Sequence, residues 1–261
     1  MSVEQIDSTR NLIVASVFND PEARLVGMLR DYGSSVNELI GDKLVVAVSA
    51  RTAPEIVEEL KDQLVNFSQE ETQLEVVDAY KRAIGLALEL KPAFIQVVDF
   101  DRLLHWVSRF PEEIRDLTNR NYRGLVSYLR TARAFETHSL AQKETERVIN
   151  EAASKVAGQK VDIMSGSFGL ENKLAGLVLE KLSRRDSGFY TEFLALAIKG
   201  GYSISTVVVE GLEWETPDQY QSRIAEIGYE AWLSEYQSQA EWQRRRQMMQ
   251  NCLEVLAELE K

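Results

Sequence analysis

Short apolar runs alternate along this chain with longer stretches in which apolar residues recur every three or four positions. Residues 12–18, 43–49 and 93–99 are rich in β-branched and aromatic side chains, are bounded by turn residues, and read as buried strands. Residues 74–77 read as a shorter third strand between the second and the last of these. Asp20-Pro21 and Thr52-Ala53-Pro54 each put a proline where a helix begins, and the second of these helices is expected to run to about residue 65. An apolar-faced helix follows over 80–88. Strands alternating with helices of this length imply βαβ crossovers, and so an α/β fold with a mostly parallel central sheet flanked by helices.

The second half keeps the alternation less regularly. Residues 124–130 and 203–209 read as strands, and 142–157, 170–182 and 189–199 as helices. Between them lie a short extended piece at 161–164 and a loop, Ser165-Gly166-Ser167-Phe168-Gly169. From Pro217 onward the pattern is helical, and 237–261 is amphipathic, with Trp242, Met249, Leu253 and Leu256 along one stripe. No repeat or Pro/Gly-rich linker interrupts the chain. The expected organisation is an α/β unit over 1–215 and a helical extension over 216–261 packed on the same domain.

Composition narrows the picture in three ways. A formal net charge of −11 argues against a broad nucleic-acid footprint or an anionic membrane surface, while leaving room for a local phosphate site. The single cysteine, Cys252, excludes an internal disulfide and points to a reducing, cytoplasmic compartment, an expectation shared by an N-terminus without signal-peptide character. No apolar run approaches the roughly 18 residues of a spanning helix.

The sharpest chemical feature is the end of the strand 93–99. Asp99 and Asp101 stand two residues apart where the apolar run stops, followed by Arg102 and a helical pattern. Side chains at the carboxyl end of a strand in an open α/β sheet face the crevice where ligands bind. Two carboxylates there repel each other unless a proton or cation compensates, and Mg²⁺ or Mn²⁺ holding a diphosphate is an economical compensator. The competing reading is a strand-to-helix turn, with Asp101 capping the helix and Asp99 in solvent.

Other residues carry weaker signals. His105 reads as a packing or capping histidine on a helix that buries Leu103, Leu104 and Val107. His138 sits in polar sequence before a helix, and is either a solvated loop residue or a metal ligand, if the fold returns it to the aspartates. Ser165 and Gly166, in the loop before a helix, can offer N–H groups to an anion. Of the cations that could meet phosphate, Arg51, Lys81, Arg82, Arg130 and Arg133, the first and third flank the predicted crevice; Arg244-Arg245-Arg246 reads as a solvated or partner-facing stripe. Glu192, Glu213, Glu215 and Asp218 lie near element ends, where a carboxylate can act as acceptor ligand or general base.

A first strand, a second followed by Arg51-Thr52, a Tyr80-Lys81-Arg82-Ala83 helix and a strand ending Asp99-Phe100-Asp101 together resemble a GT-A type glycosyltransferase domain. The segment 99–113, with Trp106, Pro111 and paired glutamates, the loop 165–169 and Gly211-Leu212-Glu213-Trp214-Glu215-Thr216 are similar to bacterial proteins of the nucleotide-diphospho-sugar transferase type, over about residues 10–215. The resemblance implies a Rossmann-like α/β fold in which Asp99 and Asp101 hold Mg²⁺ or Mn²⁺ chelated by a nucleotide-diphospho-sugar donor. It implies that the first two strands and Arg82 surround the nucleoside, with Arg51, Asp99, Ser165 and Gly166 also facing the donor. In retaining relatives a histidine completes the metal site, a role that falls here to His138. Glu192 resembles the acidic position that contacts the acceptor or serves as base. The implied activity is metal-dependent transfer of a sugar to a small hydroxylated acceptor. The alternative is a GT-A fold that binds a nucleotide or a protein partner without turnover. A phosphohydrolase with Asp99 as nucleophile would want a second acidic pair on a strand end, and none is apparent. Nucleic-acid partners and integral membrane segments are not expected, and a homodimer is left open.

Overall fold

The computed structural model describes residues 12–64 and 67–259. Three expectations fall partly outside that range: the targeting reading of the N-terminus, the end of the second helix at residue 65, and the last two residues of the terminal helix.

Seven strands form one sheet: β1 (Leu12–Phe18), β2 (Leu44–Val48), β3 (Phe67–Gln69), β4 (Phe94–Asp99), β5 (Leu125–Arg130), β6 (Ser167–Glu171) and β7 (Ile204–Val209). Their order is β3-β2-β1-β4-β6-β5-β7. All neighbours run parallel except β6, which is antiparallel to both β4 and β5. The mostly parallel, helix-flanked α/β sheet is therefore present, with a single reversed strand near its middle.

Alternation along the strands explains why the sheet is buried on both faces. Ile13, Ala15, Val45, Ala47, Ile95 and Val97 join one core with the helices Val76–Glu89, Asn172–Lys181 and Phe189–Lys199. Leu12, Val14, Phe18, Leu44, Val46, Phe94 and Val98 join the other, with the helices Val26–Leu39, Pro54–Gln63 and Phe100–Arg109.

Two local assignments differ from the sequence reading. Residues 74–77 do not form a strand; Val76 opens a helix whose buried face is Val77, Tyr80, Ala83, Ile84 and Ala87, and the third strand is the earlier, three-residue Phe67–Gln69. The loop expected at 165–169 becomes strand from Ser167 onward. Its small residues suit the sheet centre: a Cβ on Gly169 would fall 2.3 Å from the Phe94 ring, so only glycine lets that ring cross the strand.

At the far end of β5 a second polar cluster is sealed inside. Arg130 donates to Asp162 at 2.7 and 2.9 Å and to Glu146 at 2.7 Å, all three residues being buried. Arg245, on the terminal helix Gln239–Ala257, reaches Glu146 at 3.2 Å and Gln142 at 2.9 Å. The central arginine of the expected solvated stripe is thus buried and fastens that helix to the helix Leu140–Ala157. Arg130→Ala would leave two buried carboxylates short of a partner. The expected loss is about 3–5 kcal/mol, read as a shift of the urea midpoint at unchanged slope. A loss within experimental scatter would show the cluster to be indifferent to its central charge.

Candidate functional site

Asp99 ends β4, and Asp101 falls in the first turn of the helix Phe100–Arg109. Asp99 follows Ile95 and Val97 in the strand alternation, so it faces the helix Val76–Glu89, from which the buried Tyr80 donates its hydroxyl hydrogen to Asp99 Oδ1. Asp101 Oδ1 accepts from the Arg102 amide at 2.8 Å, and Oδ2 accepts from Gln219 Nε2 at 2.7 Å. Neither carboxylate is simply in solvent.

Arg102 ties the site together. Its Nε lies 3.7 Å from Asp99 Oδ2, its Nη2 lies 3.3 Å from Glu215 Oε1, and its Nη1 donates to the Ser165 carbonyl at 2.9 Å. Gly166 is needed for that approach: its φ is +71°, and a Cβ would come within 2.4 Å of Arg102 Nε. Glu215 is only 6% exposed, and its Oε2 finds no hydrogen-bond partner.

Three carboxylates thus share one guanidinium, and the ionisation equilibria show the imbalance. Burial, then the charges of Glu215 and Asp99, push the Asp101 carboxyl up to about 7. Burial also raises Asp99, against the attraction of Arg102 and the Tyr80 hydrogen bond. Burial works against the Arg102 charge, but Glu215, Asp99 and Asp101 outweigh it and keep the guanidinium protonated.

The pair opens onto a cavity of about 230 Å³ at the carboxyl edge of the sheet. Val17 to Asp20 at the end of β1 and Ala47 to Ser49 at the end of β2 form one wall; Glu70, Gln73, Ala79 and Tyr80 form another; Asp99, Asp101 and Gln219 close the end. Four carboxylates, of Asp20, Glu70, Asp99 and Asp101, line it, and among the described residues no lysine, arginine or histidine does. A phosphate cannot enter such a lining favourably unless a cation accompanies it.

The residues suit a hard divalent cation: all donors are oxygens, negative charge is in surplus, and one buried carboxylate oxygen is unpartnered. Among the described residues no three His, Cys, Asp or Glu side chains are arranged to hold a metal by themselves. Mg²⁺ ordinarily needs only one or two carboxylates, with water and substrate phosphate filling the remaining positions.

The other sequence candidates divide. Ser165 and Gly166 come to the site, but they wrap Arg102 and do not line the cavity. Arg82 stands at the rim, its Nε donating to Glu70 at 2.9 Å. The exposed Arg51 side chain is not part of the lining. His138 is not brought to the aspartates. It is buried beside Arg130, its Nε2 accepting from Nη1 at 3.0 Å and its Nδ1 lying 3.1 Å from the Ala134 carbonyl. Burial, then the charges of Arg130 and Arg102, hold its pKa well below the ordinary histidine value. Glu192 is not in the cavity either; it accepts from the amides of Ser183 and Arg184 and shapes the loop before its own helix. Arg102, Gln219 and Tyr80 are the members that sequence reasoning missed, and Glu215 it weighed only among other acidic residues. Tyr80 and Arg102 lie within quoted motifs, whereas nothing local marks Gln219.

The sheet is a mostly parallel α/β arrangement with an aspartate pair at the end of β4, beside a cavity at the carboxyl ends of the first two strands. Among solved structures, the chain is similar to glucosyl-3-phosphoglycerate synthase from Mycobacterium tuberculosis. A complex with Mn²⁺, UDP-glucose and phosphoglyceric acid matches at 14% identity, over 96% of this chain and 81% of that one, with a TM-score of 0.49. A complex with Mg²⁺ and UDP matches at 15% identity, over 78% and 70%, with a TM-score of 0.47. No family model and no curated protein matches the sequence.

The Asp101 shift has a consequence for the metal-free protein. A carboxyl whose pKa is higher folded than unfolded contributes stability at low pH that is lost as pH rises from about 4 towards about 7. Asp101→Asn should therefore raise the melting temperature at pH 8 and change it far less at pH 4. An equal change at both pH values, in thermal melts across that range, would show that Asp101 ionises normally.

Proposed function

We propose that this chain is a metal-dependent glycosyltransferase that takes a nucleotide-diphospho-sugar donor in the cavity at the carboxyl edge of the sheet. The observation that carries the reading is a cavity ending in Asp99 and Asp101 whose charged lining, among the described residues, is all acidic, which suits an anionic diphosphate only in company with a divalent cation. Asp99 and Asp101 would hold that cation, Mg²⁺ or Mn²⁺. Once bound, it would supply positive charge against the charge growing on the leaving diphosphate. The chain's own residues do the positioning. Tyr80 fixes Asp99 from the helix Val76–Glu89, while Gln219 and the Arg102 amide orient Asp101. Val17, Phe18, Leu25, Ala47 and Val48 offer an apolar wall to a planar base.

The acceptor is a small hydroxylated molecule, and the donor sugar is left open. The similar synthase structures hold UDP with Mn²⁺ or Mg²⁺, which makes UDP the first probe. A second reading, nucleotide binding without turnover, is favoured by one observation: Glu192, the expected acceptor-side acid, is engaged in its own loop.

Calorimetry separates these from a structural role. UDP should bind in the presence of Mn²⁺ and not detectably in EDTA, and Asp101→Asn should weaken the metal-dependent binding by about tenfold or more, the effect of losing a charged contact. Equal affinity in wild type and variant would remove Asp101 from the site. Binding without hydrolysis or transfer from UDP-sugars would leave the second reading.

A further inference from the structure

His105 lies one helical turn beyond Asp101 and is 4% exposed. Its Nδ1 is 2.5 Å from Asp218 Oδ2 and its Nε2 is 3.1 Å from Glu213 Oε1. Both carboxylates belong to the segment 211–220 that follows β7. They flank Glu215, and Asp218 immediately precedes Gln219. That segment therefore meets the helix Phe100–Arg109 twice at the cavity end, through Glu215 on Arg102 and Gln219 on Asp101, and twice more at His105.

A neutral imidazole has one N–H and can donate to only one of two carboxylates; a ring flanked by carboxylates on both nitrogens is satisfied only as an imidazolium. The first half of the segment has other ties. Glu113 accepts from the amides of Glu210 and Gly211 at 2.8 Å each, the Trp214 amide donates to Thr137 Oγ1 at 2.8 Å, and Arg133 pairs with Glu213 at 2.6 Å. Beyond Trp214 the ties are Glu215 to Arg102, Asp218 to His105, Gln219 to Asp101, and the Tyr220 ring against Arg24, Trp232 and Tyr236, so that between Glu215 and Gln219 these side-chain contacts hold the segment to the helix Phe100–Arg109 alone.

We propose that His105 is a positioning residue: as an imidazolium bridging Glu213 and Asp218, it clamps the segment 213–219 so that Glu215 and Gln219 stand against Arg102 and Asp101 at the end of the cavity. The clamp stands independently of the nucleotide reading, and its effect on ligand binding rests on that reading.

The electrostatics agree with the geometry. Burial opposes the charge on His105, but the Asp218 hydrogen bond and charge, with Glu215 and Glu213, raise its pKa above the ordinary histidine value. The facing groups are Glu213, Glu215 and Asp218 from the segment; Arg133, from the helix Ala132–Glu136, already neutralises part of Glu213. A histidine with a raised folded pKa contributes its hold below the unfolded value and loses it as pH rises through the folded value. Asp101 faces Gln219, not His105, so its own titration is common to wild type and His105 variants.

Hydrogen exchange on the full chain, corrected for intrinsic rates, tests the clamp. In His105→Gln at pH 6, amides within 215–220 should exchange about tenfold or more faster than in wild type, the scale of a lost hydrogen bond to a charged group, while β1 and β4 stay unchanged. Wild-type protection of this segment should fall between pH 6 and pH 9, by more than in the variant. Unchanged exchange at 215–220, or the same pH response in both proteins, would overturn the proposal. Should His105→Gln not fold, Asp218→Asn removes the same link from the other side and must give the same loosening. Calorimetry with UDP and Mn²⁺ gives the second arm, in which the clamp predicts weaker binding in the variant. Wild type that binds no UDP would defeat the nucleotide reading and leave the exchange result to decide the clamp.

Discussion

The constraint on which the cavity end depends is a deficit of positive charge. Asp99 and Glu215 pair with a single guanidinium, that of Arg102, and Asp101 lies within its field without touching it. Burying a carboxylate without a full partner is unfavourable, so the arrangement persists only because the surroundings over-determine it. Tyr80 comes from one helix, Gln219 from the segment after β7, and the Ser165-Gly166 backbone folds around Arg102 from the side. Each supplies a hydrogen bond, and none of these three supplies a charge. The remaining compensation is left to a proton, which the raised Asp101 records, or to a ligand that brings its own cation.

How much of this was legible in sequence depended on how each element is buried. β1, β2 and β4 were readable because both faces are covered, which forces continuous apolar runs. β6 was not, because the strand at the sheet centre carries Ser167 and Gly169 to make room for Phe94, and the same small residues signal a loop. Residues 74–77 looked like a strand because Val76 and Val77 are β-branched. The helical face running from Val77 through Tyr80 to Ala87 extends well beyond that window and decided the outcome.

The aspartate pair was visible as a local motif, and its partners were not, since Glu215 and Gln219 lie more than a hundred residues away in the chain. The surroundings of the two histidines were hidden for the same reason. His138 reads as a solvated residue or a metal ligand, but Arg130 and Ala134 enclose it; His105 reads as a packing or capping residue and is buried, and two carboxylates from a distant segment also reach it. Local sequence reports which side chains are present, and the fold decides what charge stands beside them.

The two polar clusters at this edge of the sheet, one sealed and one half-buried, show why that distinction separates structure from function. Around Arg130, the guanidiniums of Arg130 and Arg245 face the carboxylates of Asp162 and Glu146, and Gln142 takes a further hydrogen bond. Glu241 also takes Arg245 and is shared with Arg244, so three arginines meet three carboxylates and the charges balance; the cluster does not line the cavity ending in Asp99 and Asp101, and its contacts join β5, the helix Leu140–Ala157 and the terminal helix. A closed, balanced network of this kind has nothing left to offer a ligand, and its consequence is the docking of elements. Around Arg102 the count is three against one, one carboxylate oxygen is unpartnered, and two of the acids face a cavity. The spacing of the aspartates does not make that difference. It arises because the charge of Arg102 is shared among three carboxylates while the neighbouring His105 ring is engaged by Glu213 and Asp218, whereas the terminal helix delivers Arg245 to the other cluster. A charge left uncompensated by the chain's own cations is what a ligand can complete, and it lies where β4 ends in the crevice.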